Sequence, residues 1–294
     1  MKIVDCTTYY SEDLMLDVRF NILNKYVDKF IIVESNFSHS GEKKSLNFNI
    51  NNFQKFKDKI DYLVIENEPS GIEKNIDNLS SVKRMNSLLR IEQSYDFMMS
   101  AIKNFSDNDL ICLSDNDEIP NFESKHFKQY KNDIFIFKQL FFYYKFNLFY
   151  DLMPWYGTKA CKKKKLLSLS WLKNLKNKKY PIWRFDTFFS KLKYTNLQIV
   201  EDGGWHFTNL KTAKDIYIKL SNFGHYNEFV ESGLTVKDIQ ECIDNRVVNY
   251  NHKADKTENE KYNANYKLQL VEDKKLPNYL IENKEKYKDW FDYS

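Results

Sequence analysis

Residues 109–120 read Asp109-Leu110-Ile111-Cys112-Leu113-Ser114-Asp115-Asn116-Asp117-Glu118-Ile119-Pro120, a stretch that joins a short apolar run to a cluster of carboxylates. A continuous apolar run of this length is typical of a strand that is buried on both faces of a sheet. In parallel sheets, ligands bind beyond the carboxyl ends of the strands. The stretch therefore predicts a buried strand over 109–113 and a ligand site directly after it.

Similar apolar runs occur earlier in the chain, and helical patterns separate them. Strands are predicted over 2–6, 29–33 and 61–65, and a long helix is predicted over 81–105. Continuous apolar strands that alternate with helices indicate an α/β fold with a mostly parallel sheet flanked by helices.

The pattern changes beyond residue 120, where residues 134–149 are dense in aromatic side chains. We predict one domain over 1–248, which consists of a first half over 1–120 and an aromatic-rich second half over 121–248. A linker and a helical tail over 249–294 are expected to pack back on this domain.

Glycine is scarce, with 7 residues in 294, and neither G-x-G-x-x-G nor G-x-x-x-x-G-K-[ST] occurs. The dinucleotide-binding fingerprint and the Walker loop are thereby excluded. A phosphate-bearing ligand would have to be held by side chains or by a metal ion.

The net charge of +4 is too small to indicate nucleic-acid binding, and no nucleic-acid partner is expected. The four cysteines form no C-x-x-C pair, which favours free thiols in a reducing compartment. The first five residues do not resemble a signal peptide, and no apolar run approaches the ~18 residues of a membrane span. We therefore expect a soluble, cytoplasmic protein.

Three carboxylates lie within four positions at Asp115, Asp117 and Glu118, where they would repel one another. A divalent cation offsets this repulsion, and Mg²⁺ or Mn²⁺ is often held by one or two carboxylates together with substrate phosphates. The D-x-D pattern after a strand thus predicts a metal-diphosphate site at Asp115 and Asp117. The alternative interpretation is a solvated acidic turn.

A second motif is Gly203-Gly204-Trp205-His206-Phe207, which contains two adjacent glycines of the seven. His206 is a candidate third metal ligand, and the alternative is a structural histidine with satisfied hydrogen bonds. Trp205 could stack on a sugar or belong to the core.

Basic side chains provide further candidate contacts. Lys219 and His225 could meet a diphosphate, or they could be solvated. Arg90, on the predicted long helix, could contact a phosphate, form a buried Arg–Glu pair or form a surface ion pair. The lysine-rich residues 159–179 predict a peripheral membrane contact at the inner membrane face, and a solvated loop is the alternative.

The sequence resembles glycosyltransferase family 17, the group that includes the β-1,4-mannosyl-glycoprotein β-1,4-N-acetylglucosaminyltransferases. The resemblance covers roughly residues 1–230. The matching stretches follow in order along the chain: Asp5-Cys6-Thr7, Glu12 to Arg19, Val27 to Asn36, Ser40-Gly41 with Lys43, Arg90 to Gln93, Asp115 to Pro120, Gly204 to Phe207, Lys219, and Ser221 to His225.

The resemblance implies a GT-A-like fold, with the first half binding a nucleotide sugar and the second half binding the acceptor. It implies Mn²⁺ or Mg²⁺ at the D-x-D, a UDP-sugar donor such as UDP-GlcNAc, a glycan or lipid-linked glycan acceptor, and inversion at the anomeric carbon. The chain starts at the first predicted strand, without the membrane anchor of animal members, so we expect a microbial or viral member.

The resemblance also assigns expected roles to residues. Glu34, Ser35 and Asn36 would line the nucleotide pocket. Glu118, Trp205 and His206 would border the reacting sugar. Glu118 and Asp202 are the candidates for the base that deprotonates the acceptor hydroxyl.

Two other classes of function are compatible with these residues. The carboxylate cluster could serve a metal-dependent hydrolase of a phosphate or sugar-phosphate ester, which needs only water as its second substrate. The lysine-rich residues 159–179 could instead belong to a nonenzymatic glycan- or lipid-binding protein.

Overall fold

The computed structural model describes residues 1–74, 80–129, 131–223, 226–252 and 261–293. Strands and helices alternate through its first half. The strands are β1 (Ile3–Thr8), β2 (Lys29–Ser35), β3 (Ile60–Ile65), β4 (Leu110–Ser114), β5 (Glu118–Pro120), β6 (Ile134–Tyr143), β7 (Leu148–Phe149), β8 (Trp155–Lys162), β9 (Gln198–Val200), β10 (Gly204–Thr208), β11 (Val247–Val248), β12 (Tyr266–Lys267) and β13 (Gln269–Leu270).

Helices pack around these strands. The α-helices are α1 (Asp13–Leu23), α2 (Ser80–Phe97), α3 (Met99–Ile102), α4 (Lys125–Gln129), α5 (Leu169–Asn174), α6 (Ala213–Asn222), α7 (Tyr226–Ser232), α8 (Val236–Asp244) and α9 (Asn278–Glu282). Short 3₁₀ segments lie at Ile50–Lys59, Lys163–Lys165, Phe185–Thr187, Asp273–Lys275 and Lys284–Trp290.

The central sheet has the strand order β13-β7-β6-β8-β4-β1-β2-β3. Strands β4, β1, β2 and β3 pair with one another in parallel. Strand β8 pairs antiparallel with both β4 and β6. Strand β10 runs parallel to β6 and antiparallel to β5. The predicted α/β fold is thereby confirmed, and the parallel pairing is concentrated in the first half.

The parallel strands are buried on both faces because successive side chains point to opposite sides of a strand. On one face, Ile32 of β2 packs in a core cluster with α1 residues such as Phe20. On the other face, Ile31 and Val33 pack in a second cluster that includes Tyr95 of α2 and Leu172 of α5. The helices thus cover the sheet from both sides.

The C-terminal residues pack against the first of these two clusters. Leu276, Leu280, Tyr287 and Phe291 are buried there together with α1 side chains. Residues 266–293 form short strands and 3₁₀ segments as well as helix α9, and β13 pairs with the sheet strand β7. Part of the predicted linker falls outside the described residues, and the division of the chain at residue 248 stays a prediction.

None of the described helices combines the length and apolar character needed to cross a bilayer. The four cysteines are free thiols. The cytoplasmic location expected from the sequence stays a prediction.

Candidate active site

A cavity of about 430 Å³ opens between the two halves of the sheet. One side is formed by residues at the ends of β1 and β2 and by α2, including Tyr10, Ser35 and Arg90. The other side is formed by aromatic residues of β6 and β8, including Phe141 and Trp155. The turn that follows β4 lies in the wall between them. Its position agrees with the rule that ligands bind at the carboxyl ends of parallel strands.

The carboxylates of this turn are held by different partners. Asp115 accepts a hydrogen bond from the Tyr95 hydroxyl at 2.9 Å and forms an ion pair with Lys173 at 3.0 Å. Asp117 lies 3.3 Å from the Lys219 ammonium and 3.5 Å from Nε2 of His206. Burial by itself would raise the pKa of Asp117, but Lys219 and His206 hold it well below its usual range. Asp117 is therefore ionised at neutral pH.

Glu118 is buried directly behind the turn. Its carboxylate accepts hydrogen bonds from the Trp155 indole at 2.8 Å and from the Asp115 backbone N–H at 2.8 Å. The Lys173 ammonium lies 3.3 Å away. Burial raises the pKa of Glu118 above its ordinary value, although Lys173 opposes the shift.

The packing around Glu118 requires a glycine at position 157 in β8. A Cβ atom there would lie 2.3 Å from Oε1 of Gln139 and 2.7 Å from Oε1 of Glu118. Gly157 therefore allows the backbone of β8 to approach the buried carboxylate.

A buried ion pair holds the backbone of the acidic turn in place. The Arg19 guanidinium donates to both carboxylate oxygens of Asp5, at 2.7 and 2.5 Å. It also donates to the carbonyl oxygens of Glu118 at 2.5 Å and Asp115 at 3.4 Å. Asp5 belongs to β1 and Arg19 to α1. These two elements therefore fix the backbone of the acidic turn.

The imidazole of His206 is enclosed by aromatic rings. It stacks on Phe141 with ring centroids 4.7 Å apart and lies 4.4 Å from the Trp155 ring. Its Nδ1 atom is buried and has no hydrogen-bond partner among the residues that the structure describes. His206 thus joins the carboxylate turn to the aromatic side of the cavity.

Comparison with protein families decides the class of the molecule. The model of glycosyltransferase family 17 matches residues 1–291. The chain belongs to glycosyltransferase family 17. Of the three functions compatible with the sequence, this membership selects the glycosyltransferase, an enzyme that takes a sugar donor and an acceptor.

Solved structures share only a distant likeness with this glycosyltransferase. HddC from Yersinia pseudotuberculosis complexed with GMP-PN is 11% identical, with a TM-score of 0.32, and the match covers 68% of this chain and 91% of that chain. The inositol-1-phosphate CTP transferase from T. maritima is 11% identical, with a TM-score of 0.33, and the match covers 82% and 97% of the two chains. No curated protein matches the chain significantly.

Four of the expected donor-binding residues line the cavity of the glycosyltransferase, namely Ser35, Arg90, Asp115 and Lys219. The Arg90 guanidinium is also engaged within the protein, where its Nε donates to Glu68 at 2.8 Å and its Nη1 to the His39 carbonyl at 3.2 Å. An Arg–Glu pair therefore forms, and Glu68 supplies its carboxylate.

Three other expected donor-binding residues do not belong to the cavity lining. Glu34 is buried and accepts hydrogen bonds from the backbone of Asn47 at 2.8 Å and of Phe48 at 3.0 Å. Asn36 donates its backbone N–H to Ile65 at 2.9 Å, in continuation of the sheet. Glu34 and Asn36 thus hold the segments around the pocket.

Trp205 is the third of these residues. It precedes His206 in β10, so its side chain points to the opposite face of the strand. There its indole donates to the Lys275 carbonyl at 2.7 Å, and its ring packs against the core that contains α1. His225, a further expected contact, lies outside the described residues.

Asp202, the second candidate base, also lies away from the cavity lining. Its carboxylate accepts a hydrogen bond from the Ser124 hydroxyl, and its carbonyl accepts one from the Asn121 side chain at 3.1 Å. These contacts join the β9–β10 connection to the start of the second half.

Several site residues were not singled out by the sequence. Glu12 lines the cavity and accepts hydrogen bonds from the Asn116 side chain and from the Ser11 backbone N–H at 2.9 Å. Tyr95, Trp155 and Lys173 contact the acidic turn. They come from α2, β8 and α5, and no local pattern links these positions to residue 115.

The metal-ligand set predicted from the sequence is only partly assembled. Asp117 and His206 approach each other, whereas Asp115 is turned toward Tyr95 and Lys173. Among the residues that the structure describes, no group of three or more His, Cys, Asp and Glu side chains could hold a metal ion unaided. A metal ion held by Asp117 and His206 would need further ligands from substrate phosphates and water.

Many lysines of residues 159–179 are engaged within the protein. Lys159 is buried and donates to the carbonyls of Lys173 at 2.6 Å and Leu175 at 2.5 Å. Lys162 forms an ion pair with Asp133 at 2.8 Å. Together with Lys173 at the active site, these side chains are not free to form a membrane surface.

Proposed function

We propose that this enzyme transfers N-acetylglucosamine from UDP-GlcNAc to a hydroxyl group of a glycan or lipid-linked glycan, with inversion at the anomeric carbon. The observation that carries the proposal is the position of the Asp115–Asp117 turn. It faces a cavity with charged residues and strand ends on one side and aromatic rings on the other. Such a cavity can hold a donor and an acceptor on either side of the acidic turn.

The donor would bind against the ends of β1 and β2. Lys44, Arg90 and Lys219 line this cavity and supply positive charge for a diphosphate. Lys219 already lies 3.3 Å from Asp117, so a phosphate oxygen near Asp117 would be within its reach. This arrangement supports diphosphate binding without a glycine-rich loop.

A Mn²⁺ or Mg²⁺ ion would be held by Asp117 and His206, with Asp115 as a further ligand, and by the donor phosphates. When bound, it would offset the negative charge that develops on the departing UDP. Lys219 would share this task, because its ammonium is held in place by the buried carboxylate of Asp117.

The acceptor would bind against the aromatic side. Phe141, Tyr143 and Trp155 line the cavity there, together with His252. Aromatic faces offer apolar contact to a sugar ring, and polar groups at the rim can orient its hydroxyls. A glycan acceptor fits this wall better than a strongly charged substrate does.

Glu118 is the proposed general base. The pKa of Glu118 is raised toward neutral pH, and a base with such a pKa is better suited to accept a proton. Glu118 does not line the cavity and lies behind Trp155, so the acceptor hydroxyl would have to take the place of the Trp155 indole at its carboxylate. Asp202 is the competing candidate, and its contact with Ser124 holds it elsewhere.

The donor and the metal requirement are tested with a panel of UDP-, GDP- and CMP-sugars, each incubated with Mn²⁺, Mg²⁺ or EDTA. We expect UDP release from UDP-GlcNAc only with a glycan acceptor and a divalent ion, and a product of inverted anomeric configuration by NMR. Asp117→Asn should lower kcat/KM by about 100-fold or more. Unchanged turnover in EDTA would remove the metal from the proposal, and turnover of another nucleotide sugar would replace the donor.

The base is tested by comparing Glu118→Gln with Asp202→Asn. The amide introduced by Glu118→Gln can still accept the Trp155 hydrogen bond but cannot take a proton, so kcat should fall by about 10²–10⁴-fold. Asp202→Asn should retain full activity. The opposite pattern would assign the base to Asp202, and retained activity in both variants would leave Glu118 a positioning role only.

A further inference from the structure

The loop between α5 and β9 exposes an unusual concentration of large apolar side chains. Ile182, Trp183, Phe185, Phe188 and Phe189 are each between 72% and 92% exposed. Isolated apolar residues are common on protein surfaces, but five within eight positions form a patch. Among the described residues, the other exposed large apolar side chains form no comparable run.

The loop is anchored at its base. The backbone N–H of Lys176 donates to Leu192 at 3.0 Å, and that of Tyr180 donates to Tyr194 at 3.3 Å. The indole of Trp171 in α5 donates to the Lys191 carbonyl at 2.6 Å. These bonds join the two ends of the loop to each other and to helix α5. The exposed apolar side chains therefore lie on a loop whose base is held in place.

Cationic residues flank the apolar tip along the sequence. Residues 176–193 contain five lysines and one arginine, against a single acidic residue, Asp186. Asp186 is paired with Arg184 at 2.6 Å and with Lys193 at 2.7 Å. The segment therefore combines a net charge of +5 with exposed aromatic rings, the composition of a surface that inserts into an anionic bilayer interface.

We propose that residues 176–193, which we call the docking loop, bind an anionic lipid surface. The apolar tip would enter the boundary between headgroups and acyl chains, and the surrounding lysines would contact the headgroups. A second copy of the chain is a poorer occupant, because two segments of charge +5 would face each other. A bilayer also needs no groove of matching shape, and the tip side chains project into solvent.

This surface differs from the one expected from the sequence. Lys159, Lys162 and Lys173 are held inside the protein, whereas the exposed apolar side chains follow residue 179. The membrane-facing part thus shifts toward the C-terminal side of the lysine-rich stretch. The proposal does not depend on the donor or the metal proposed above.

Vesicle co-sedimentation of the full chain tests the proposal, with phosphatidylcholine alone and with phosphatidylcholine mixed with phosphatidylglycerol. We expect binding to the mixed vesicles, weaker binding to the neutral ones, and a decrease with added salt. The double variant Trp183→Ser/Phe189→Ser should bind at least about tenfold more weakly, because two large apolar side chains are lost from the interface. Both residues are exposed, so its melting temperature should match that of the unchanged protein.

The matched control is Met85→Ser/Tyr293→Ser, which removes two exposed apolar side chains elsewhere and should bind like the unchanged protein. Absence of binding to the mixed vesicles would overturn the proposal, as would equal binding by the two double variants. Analytical ultracentrifugation without lipid tests the alternative, in which a second copy of the chain binds the docking loop. A dimer that Trp183→Ser/Phe189→Ser dissolves would assign the loop to self-association instead.

Discussion

The two sides of the active-site cavity stabilise their buried groups in different ways. On the side of the parallel strands, charges are compensated by charges, as in Arg19 with Asp5 and Lys219 with Asp117. On the side of β6, β8 and β10, aromatic rings stack on one another and enclose His206, whose Nδ1 has no hydrogen-bond partner within the described part of the chain. The first side therefore holds ionised groups in place, and the second offers an apolar surface. Under the proposed arrangement, substitutions on one side would change donor chemistry and substitutions on the other would change acceptor contact.

The largest effect is expected from breaking the charged side at Arg19→Met. Asp5 would remain as a buried carboxylate without its cation, and the backbone of the acidic turn would lose its donor. Removal of one member of a buried ion pair costs about 3–5 kcal/mol of unfolding free energy. Urea unfolding measures it.

Arg184→Met is the control for that experiment, because the Arg184–Asp186 pair is exposed to solvent. Exposed pairs contribute about 0–1 kcal/mol. Equal losses in the two variants would show that burial is not what makes the Arg19 pair important.

The next largest effect concerns the charge at the acidic turn, through Lys219→Met. Asp117 would lose its nearest ammonium, and the proposed donor diphosphate would lose a cationic contact. We expect kcat/KM to fall by about 100-fold. Lys214→Met, on the exposed side of the same helix, should leave steady-state kinetics unchanged, and a similar loss there would point to a general effect of α6.

A smaller effect should separate the two sides at Trp155→Phe. The ring remains for stacking, but Glu118 loses the indole donor, at a cost of about 1–3 kcal/mol for a buried acceptor. We expect kcat to fall by about tenfold. Trp205→Phe also removes an indole hydrogen bond, to Lys275, yet its ring faces away from the cavity. Its kinetics should therefore match those of the unchanged enzyme, and a reduced donor affinity would return Trp205 to the donor site.

The last prediction is a pH dependence on the aromatic side, which has no effect at neutral pH. Burial among rings lowers the pKa of His252 to about 4. Because the unfolded chain binds this proton more tightly, the stabilisation is complete above the ordinary pKa of about 6.5 and is lost as the pH falls toward 4. One such group changes the unfolding free energy by less than about 1.4 kcal/mol per pH unit. His252→Phe should flatten the slope of unfolding free energy between about pH 4 and 6.5, and an unchanged slope would exclude His252 as its source.

The sequence predicted the parallel part of the fold because its strands are short, apolar and buried on both faces. It also placed the acidic turn after β4, since that position depends only on local order along the chain. It overestimated the length of the helix predicted over 81–105, which is interrupted at Met98. The face of α2 that is buried includes polar residues such as Asn86 and Arg90, so the apolar pattern alone was a poor guide to its orientation.

The partners of the acidic turn could not be predicted, because contacts between elements that are distant in the sequence bring them to it. Trp155 contacts Glu118 only because β8 lies between β4 and β6, and Lys173 approaches the turn from α5. Neither contact leaves a signature in the spacing of residues along the chain.

Side chains alternate between the two faces of β10, and this strand separates what the sequence determined from what the tertiary structure decided. The sequence makes Trp205 and His206 neighbours, and once residues 204–208 form a strand their side chains must point to opposite faces. Only the tertiary structure decided that His206 faces the cavity, because β10 pairs with β6 in the register that sets His206 beside Phe141. Local chain geometry determines which residues are separated, and the pairing of distant strands determines which of them reaches the active site.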